Sequence, residues 1–246
     1  MTKRNNIFYD KYPFKYGYSS KDDIISSMNS DLKNYIKKAK NGVICDIGCG
    51  CGRNLLFASK YSKKCIGVDI SNESLKFAKK FIDSINVEFI QGDNLSIPLD
   101  NNVADVVISD GVIHHTGDTI RAFDECVRIL KPNGLLYLAV YKKNRYYPLL
   151  YNYLGGIFRL MHKSWFGRIL LNIICVNLFF IAYKLFKGSN LKYSEIRNIF
   201  FDYFVTPIAT FQSKSEVQKW ILKERCMLEG YTETDGNCHV FFIRKL

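Results

Sequence analysis

The chain has 246 residues, 48% hydrophobic and 15% aromatic, with 35 Lys and Arg against 23 Asp and Glu, a formal net charge of +12. This composition excludes wholesale disorder and collagen-like repetition, and the length fits one large domain, here expected over 1–246. The charge is uneven: residues 131–200 hold eleven Lys and Arg and a single acid, Glu195, so the remainder is nearly neutral. A basic segment, unlike a uniformly basic surface, asks for its own explanation.

The opening MTKRNNIFYDKYPF lacks the apolar run of a signal peptide, and eight Cys without the density of a small secreted framework fit a reducing compartment. A cytoplasmic location is expected. Tyr9, Tyr12, Phe14, Tyr16 and Tyr18 around Pro13 and Gly17 predict an ordered arm, and Ile24, Ile25, Met28, Leu32 and Ile36 predict a helix stopped by Asn41-Gly42. Together, residues 1–40 read as an N-terminal helical arm.

An α/β rhythm follows, with strands at 43–47, 65–68, 87–90, 104–109 and 135–141 and helices at about 53–60, 71–83 and 118–130. It breaks at 142–200 and resumes with a helix predicted over 213–229, stopped by Gly230. Two strands at 231–234 and 239–244 then flank Asp235-Gly236-Asn237. The expected fold is α/β: a Rossmann-like, mostly parallel seven-stranded sheet with an antiparallel edge and a helical insertion after strand five. Ligands of such sheets bind beyond the carboxyl ends of the strands.

The stretch V43-I-C-D-I-G-C-G-C-G-R-N leaves a strand and enters a helix with glycines at 48, 50 and 52. Glycine lets backbone approach a ligand closely, and Asp69 at the end of the next strand is placed to accept two ribose hydroxyls. Arg53 occupies the third-glycine position of a nicotinamide fingerprint, and no G-K-S/T follows for nucleotide phosphates. Asp46 within the motif would repel phosphate but suits an ammonium. These features favour S-adenosylmethionine, a cation without phosphate.

In this pattern the chain resembles the class I S-adenosylmethionine-dependent methyltransferases with a methyltransferase-11-type domain. D46-I-G-C-G-C-G matches the family's acid-x-Gly-x-Gly-x-Gly loop, and G67-V-D69 its second-strand acid. Q91-G-D93 matches the third-strand acid, G111-V-I-H-H the segment after strand four, and R128-I-L-K-P-N-G-L the lead into strand five. The resemblance covers roughly residues 40–141. It implies a methyl-transferring enzyme with S-adenosylhomocysteine as product. Asp46, Gly48, Gly50 and Gly52 would then face the amino acid part and ribose, Asp69 the ribose, and Asp93 the adenine. Cys49, Ile70, Asn94, Leu95 and Asp110 would stand beside them, with Tyr16 and Tyr18 closing over the cofactor.

Cys45, Cys49 and Cys51 are one residue short of the C-x3-C-x2-C of cluster-binding enzymes, because Gly52 holds the needed place, so no metal is expected. Asp110, His114 and His115 follow strand four. As candidate catalytic residues, either His would be a base or substrate orienter; the alternative is helix-start packing. Methyl transfer also proceeds by positioning and desolvation, which weakens the case for one indispensable residue.

Residues 142–212 read as a helical lid or substrate insertion, nearly all apolar from 169 to 186. That length approaches a bilayer span, but a crossing would separate the last strands from the first five. The expected partner is a small acceptor, hydrophobic or anionic, under a greasy lid. Peripheral contact of 142–188 with the inner face of an anionic membrane, or a homodimer contact, would use the same residues. A transfer-RNA acceptor, for which dispersed charge would be needed, and a non-catalytic cofactor-binding protein are the alternatives. Phe204 to Pro207 and Phe211 are expected to return over the acceptor pocket.

Overall fold

Along β5 (Leu130–Tyr141), Leu135, Tyr137 and Ala139 enter one buried cluster, and Leu136, Leu138 and Val140 enter another. Alternation buried on both faces is what a central sheet sandwiched between helices requires. The structure is a computed structural model describing residues 8–13, 20–144, 146–187, 191–234 and 236–246. β1 (Val43–Ile47), β2 (Lys64–Asp69), β3 (Val87–Gln91), β4 (Ala104–Asp110) and β5 pair in parallel. With β6 (Cys226–Glu233) and β7 (Cys238–Lys245) the sheet has seven strands, in the order β3-β2-β1-β4-β5-β7-β6. β7 is antiparallel to both β5 and β6. The order reverses between β1 and β4, opening a crevice at their carboxyl ends.

Helices α1 (Lys21–Ser27), α2 (Ser30–Lys38), α3 (Arg53–Ala58) and α4 (Asn72–Phe81) supply Ile24, Leu32, Leu55 and Leu75 to the first face. Helix α5 (Thr119–Ile129) and helix α10 (Lys214–Lys223) supply Phe123 and Val217 to the second. Among the described residues between β5 and α10 are α6 (Tyr147–Asn152), α7 (Leu154–Lys163), α8 (Trp165–Lys187) and α9 (Tyr193–Phe200), the last running into a π-helical turn at Phe201–Val205. They form a cap with its own core of Leu171, Val176, Phe200, Phe201 and Phe204, joined by Phe8 and Tyr12. Each such side chain contributes about 1.5–3 kcal/mol when fully buried.

Three elements differ from the sequence reading. The helix expected over 21–40 breaks at Asn29, whose side chain accepts the Asp31 and Leu32 amides at 2.8 and 3.1 Å and starts α2 afresh. The helix expected to reach 229 ends at Lys223, because Arg225 turns to φ 52° and Cys226 is buried as the first residue of β6. Gly230 is therefore no helix stop: the register shifts between Leu228 and Gly230, and a Cβ there would meet Phe242 at 3.3 Å. β5 begins at Leu130, with Pro132-Asn133-Gly134 inside a register shift and Asn133 at φ 62°. A β-bulge thus stands where a loop was expected.

Candidate active site

A cavity of about 390 Å³ opens at the carboxyl ends of β1 and β4, within the ~300–1,000 Å³ typical of small-molecule sites. One end is lined by the glycine loop, Asp69, Ile70 and Asn94, the other by His115, Tyr141, Asp202 and Tyr203. Gly50 (φ 53°) and Gly111 (φ 78°) have only open space where a Cβ would stand. The chain there turns left-handed and presents bare backbone to a ligand. Gly48, at φ 76°, is required for a different reason, since a Cβ would collide with Val112.

Asp69 is anchored rather than loose. Its Oδ2 accepts the Gly50 amide at 2.8 Å and its Oδ1 the Ser71 amide at 2.8 Å. Each oxygen retains capacity for a further hydroxyl. Burial raises its pKa, opposed by those amide hydrogen bonds. Beneath the loop, burial and then the charge of Asp110 push Asp46 up to about 8, against Asn54 and Arg53. Arg53 is ion-paired with Asp110 at the cavity wall. Asp46 therefore keeps its proton near neutral pH, and a ligand ammonium close by would favour its ionised form.

At the other end, His115 Nδ1 lies 2.7 Å from the Ile208 carbonyl. A carbonyl only accepts, so Nδ1 carries the proton and Nε2 is the basic nitrogen of the neutral ring. Nε2 is 3.9 Å from Asp202 Oδ1, and Tyr141 Oη donates to Asp202 Oδ2 at 3.1 Å. Burial raises the pKa of Asp202, opposed by the His115 ring when protonated and by the Tyr141 hydrogen bond. Tyr9 of the N-terminal segment completes the wall, with its hydroxyl 3.3 Å from Thr206 Oγ1.

The cavity wall brings together Gly48, Cys49, Gly50, Asp69, Ile70, Asn94, Asp110 and His115 of the residues expected there. Asp46 lies below it, and Gly52 starts α3 at φ 85°, tight against Ile82. Asp93 accepts the Leu95 amide at 2.9 Å in the loop after β3, and neither lines the cavity. His114 is fully buried with its ring centroid 3.8 Å from that of Tyr141, and burial holds its pKa well below the ordinary value. Tyr16 and Tyr18 lie outside the described residues. Cys45 and Cys49 fall in separate core clusters, and burial pushes Cys45 up to about 12, an inert thiol.

The sequence reading missed Arg53, Tyr9, Tyr141, Asp202 and Tyr203 as wall residues. Asp202 left a trace: Glu195 and Asp202 are the only acids in residues 142–212, and Asp202 stands in F200-F-D-Y-F. An acid between aromatics in a basic segment was a signal to follow. Tyr9 left none beyond its neighbours in a Tyr-rich arm.

Residues 45–138 match a family model described as a methyltransferase domain. This stretch, from the glycine loop into β5, is similar to the methyltransferase domain of class I S-adenosylmethionine-dependent enzymes. An uncharacterised methyltransferase of Bacillus subtilis (strain 168), YcgJ, is 32% identical over 120 residues, 46% of this chain and 47% of that protein. A probable tRNA methyltransferase 9B of Bos taurus is 33% identical over 132 residues, 51% of this chain and 28% of its own length. The chain thus spans less than half the length of either relative. A solved structure from Pyrococcus horikoshii OT3 has the same fold over 98% of this chain and 99% of its own, at 20% identity and a TM-score of 0.63. The matched segment runs from within β1 into β5, includes the glycine loop, Asp69 and Asn94 of the cavity wall, and ends before the cap.

Proposed function

We propose that this methyltransferase binds S-adenosylmethionine across the cavity and methylates a small, uncharged or hydrophobic acceptor at its tyrosine-lined end. The observation that carries this is the anchored Asp69 carboxylate opposite the Arg53–Asp110 pair, a donor and acceptor set suited to a ribose and a zwitterionic amino acid. The residues fit the group: open backbone at Gly50 and Gly111 leaves room for it, and buried Asp46 is a carboxyl that a nearby ammonium would draw into its charged form. When bound, the cofactor supplies a methyl group on a sulfonium, an excellent leaving group.

This chain's own residues then position the acceptor, exclude water and take a proton. The cap drops Asp202 and Tyr203 into the cavity and the N-terminal segment adds Tyr9, so the acceptor end is walled by low-dielectric aromatics. Nε2 of His115 takes the acceptor's proton, and Asp202 stabilises the imidazolium that results. Asp202 also disfavours an anionic acceptor. The relative named for tRNA shares the cofactor half of the chain. The exposed apolar cap, however, is a poor platform for a polyanion.

Calorimetry with the cofactor tests the shared premise. Asp69→Ala should weaken binding by roughly tenfold to a hundredfold, the worth of charged hydrogen bonds; unchanged affinity would remove Asp69 from the ribose. A screen with isotopically labelled cofactor against metabolite, lipid and RNA pools reads the acceptor. Signal confined to RNA overturns the small-acceptor reading.

A further inference from the structure

The cap is built inside out. Among the described residues, fifteen of the twenty large apolar side chains left exposed lie between Tyr146 and Tyr193. On α8 the inward positions Leu171 and Val176 are fully buried, while Ile174, Leu178, Ile181 and Leu185 form an outward stripe at helical spacing, 48–76% exposed. Trp165 and Phe166 stand at one end of that stripe and Phe186 at the other. Contiguous exposed apolar surface of this kind marks an interaction site.

Charge selects the occupant. Lys163 precedes α8 in the chain, Lys184 and Lys187 lie in its last turn and Lys192 follows it, with Lys163, Lys187 and Lys192 exposed, and no acid occurs anywhere from 132 to 194. The next acids do not serve the surface: Glu195 is buried and accepts the Lys192 amide at 2.5 Å, and Asp202 is inside the cavity. A second copy docked by a two-fold axis would set this basic face against itself, with no acid to pair. An anionic lipid surface satisfies both requirements, accepting the apolar stripe below the headgroups and the cations at their level.

We infer that the outer face of the cap, centred on α8, lies on an anionic lipid bilayer. The helix lies in the interface rather than across it. Trp165–Lys187 is 23 residues long, enough to cross by length and composition. Its inner side, however, is sewn to the cap: Asn172 accepts Arg197 Nε at 2.9 Å, and Val176 packs with Phe200 and Phe204. β7, beyond the helix, pairs with β5, before it, from Leu135↔Arg244 to Tyr141↔Cys238, so both ends of α8 remain on one side.

The test is vesicle flotation of the full chain, with phosphatidylcholine alone and with phosphatidylcholine mixed with phosphatidylglycerol. The mixed vesicles should retain the protein roughly tenfold better than the neutral ones, with the difference falling as salt rises. Replacing the stripe by Leu178→Glu with Phe186→Glu should cut that retention by about tenfold or more, from the lost burial of two large side chains. Cofactor binding and the circular dichroism spectrum should stay as they were. No retention of the unaltered chain on mixed vesicles, or equal retention of the double variant, overturns the inference. So does light scattering that shows a dimer dispersed by the double variant while vesicles bind neither protein.

Discussion

The sheet body and the cap bury their residues by opposite logics. In the body, both faces of the sheet meet helices, and the loops at its carboxyl edge are fixed by hydrogen bonds such as that from the Gly50 amide to the Asp69 carboxylate. In the cap, helices share a thin core of Phe200, Phe201 and Phe204 and leave their other side bare. The body is nearly neutral and the cap carries most of the charge. Under the function and the docking face proposed above, the contrast teaches where each half of the chemistry would be specified: cofactor recognition in the body, acceptor recognition and location in the cap.

The sharpest way to break this division is at the seam. His115→Ala should lower kcat by about 10²–10⁴-fold with cofactor affinity preserved, as for loss of a general base. Asp202→Asn should fall short of that while leaving the same affinity intact. Matching losses of cofactor affinity in both variants would merge the two halves of the cavity. Within the cap, Phe201→Ala should cost about 3–5 kcal/mol in urea or thermal unfolding, because Phe201 is fully buried.

Asp46 gives a pH-dependent test inside the body. Its carboxyl is held near 8 in the fold, whereas in an unfolded chain it titrates near ~3.9. The folded protein therefore keeps a proton that the unfolded chain loses. Stability from this group is full below pH ~4, declines above it, and is gone once pH passes about 8. Asp46→Asn should raise the cofactor-free Tm at pH 8 by about 2–4 °C or more, little at low pH, and weaken cofactor binding. Equal shifts at both ends of the pH range would dismiss Asp46 as the cause. The smallest effect belongs to the outer face of α8, where Leu178→Ala should move stability by less than about 0.5 kcal/mol. A larger loss would mean that the stripe is already covered in solution.

Much of the body was legible because its signals are local. Strand alternation, the glycine loop and Asp69 at a strand end each report on a few neighbouring residues, and the mostly parallel seven-stranded sheet with its antiparallel edge is as expected. Errors fell where one residue type serves two purposes, as with Gly230, a bulge in β6 rather than a helix terminator. The acceptor end was less legible because it is assembled across long separations. Tyr9 meets Thr206, and His115 meets Asp202, through packing that no spacing rule anticipates. His114 and His115 show the limit most plainly, since adjacent identical side chains face a Tyr141 ring and the cavity respectively.

Ile208 sits on the strap that returns from the cap, yet its carbonyl decides which nitrogen of a body histidine holds the proton. The tautomer at this position is therefore a joint property of the body and the cap's return strap. Exchange of the cap for another would carry away the proton's address together with the acceptor's pocket. In a lineage of such proteins, a new acceptor and a new proton route would arrive in the same recombination, while the sheet beneath stayed as it was.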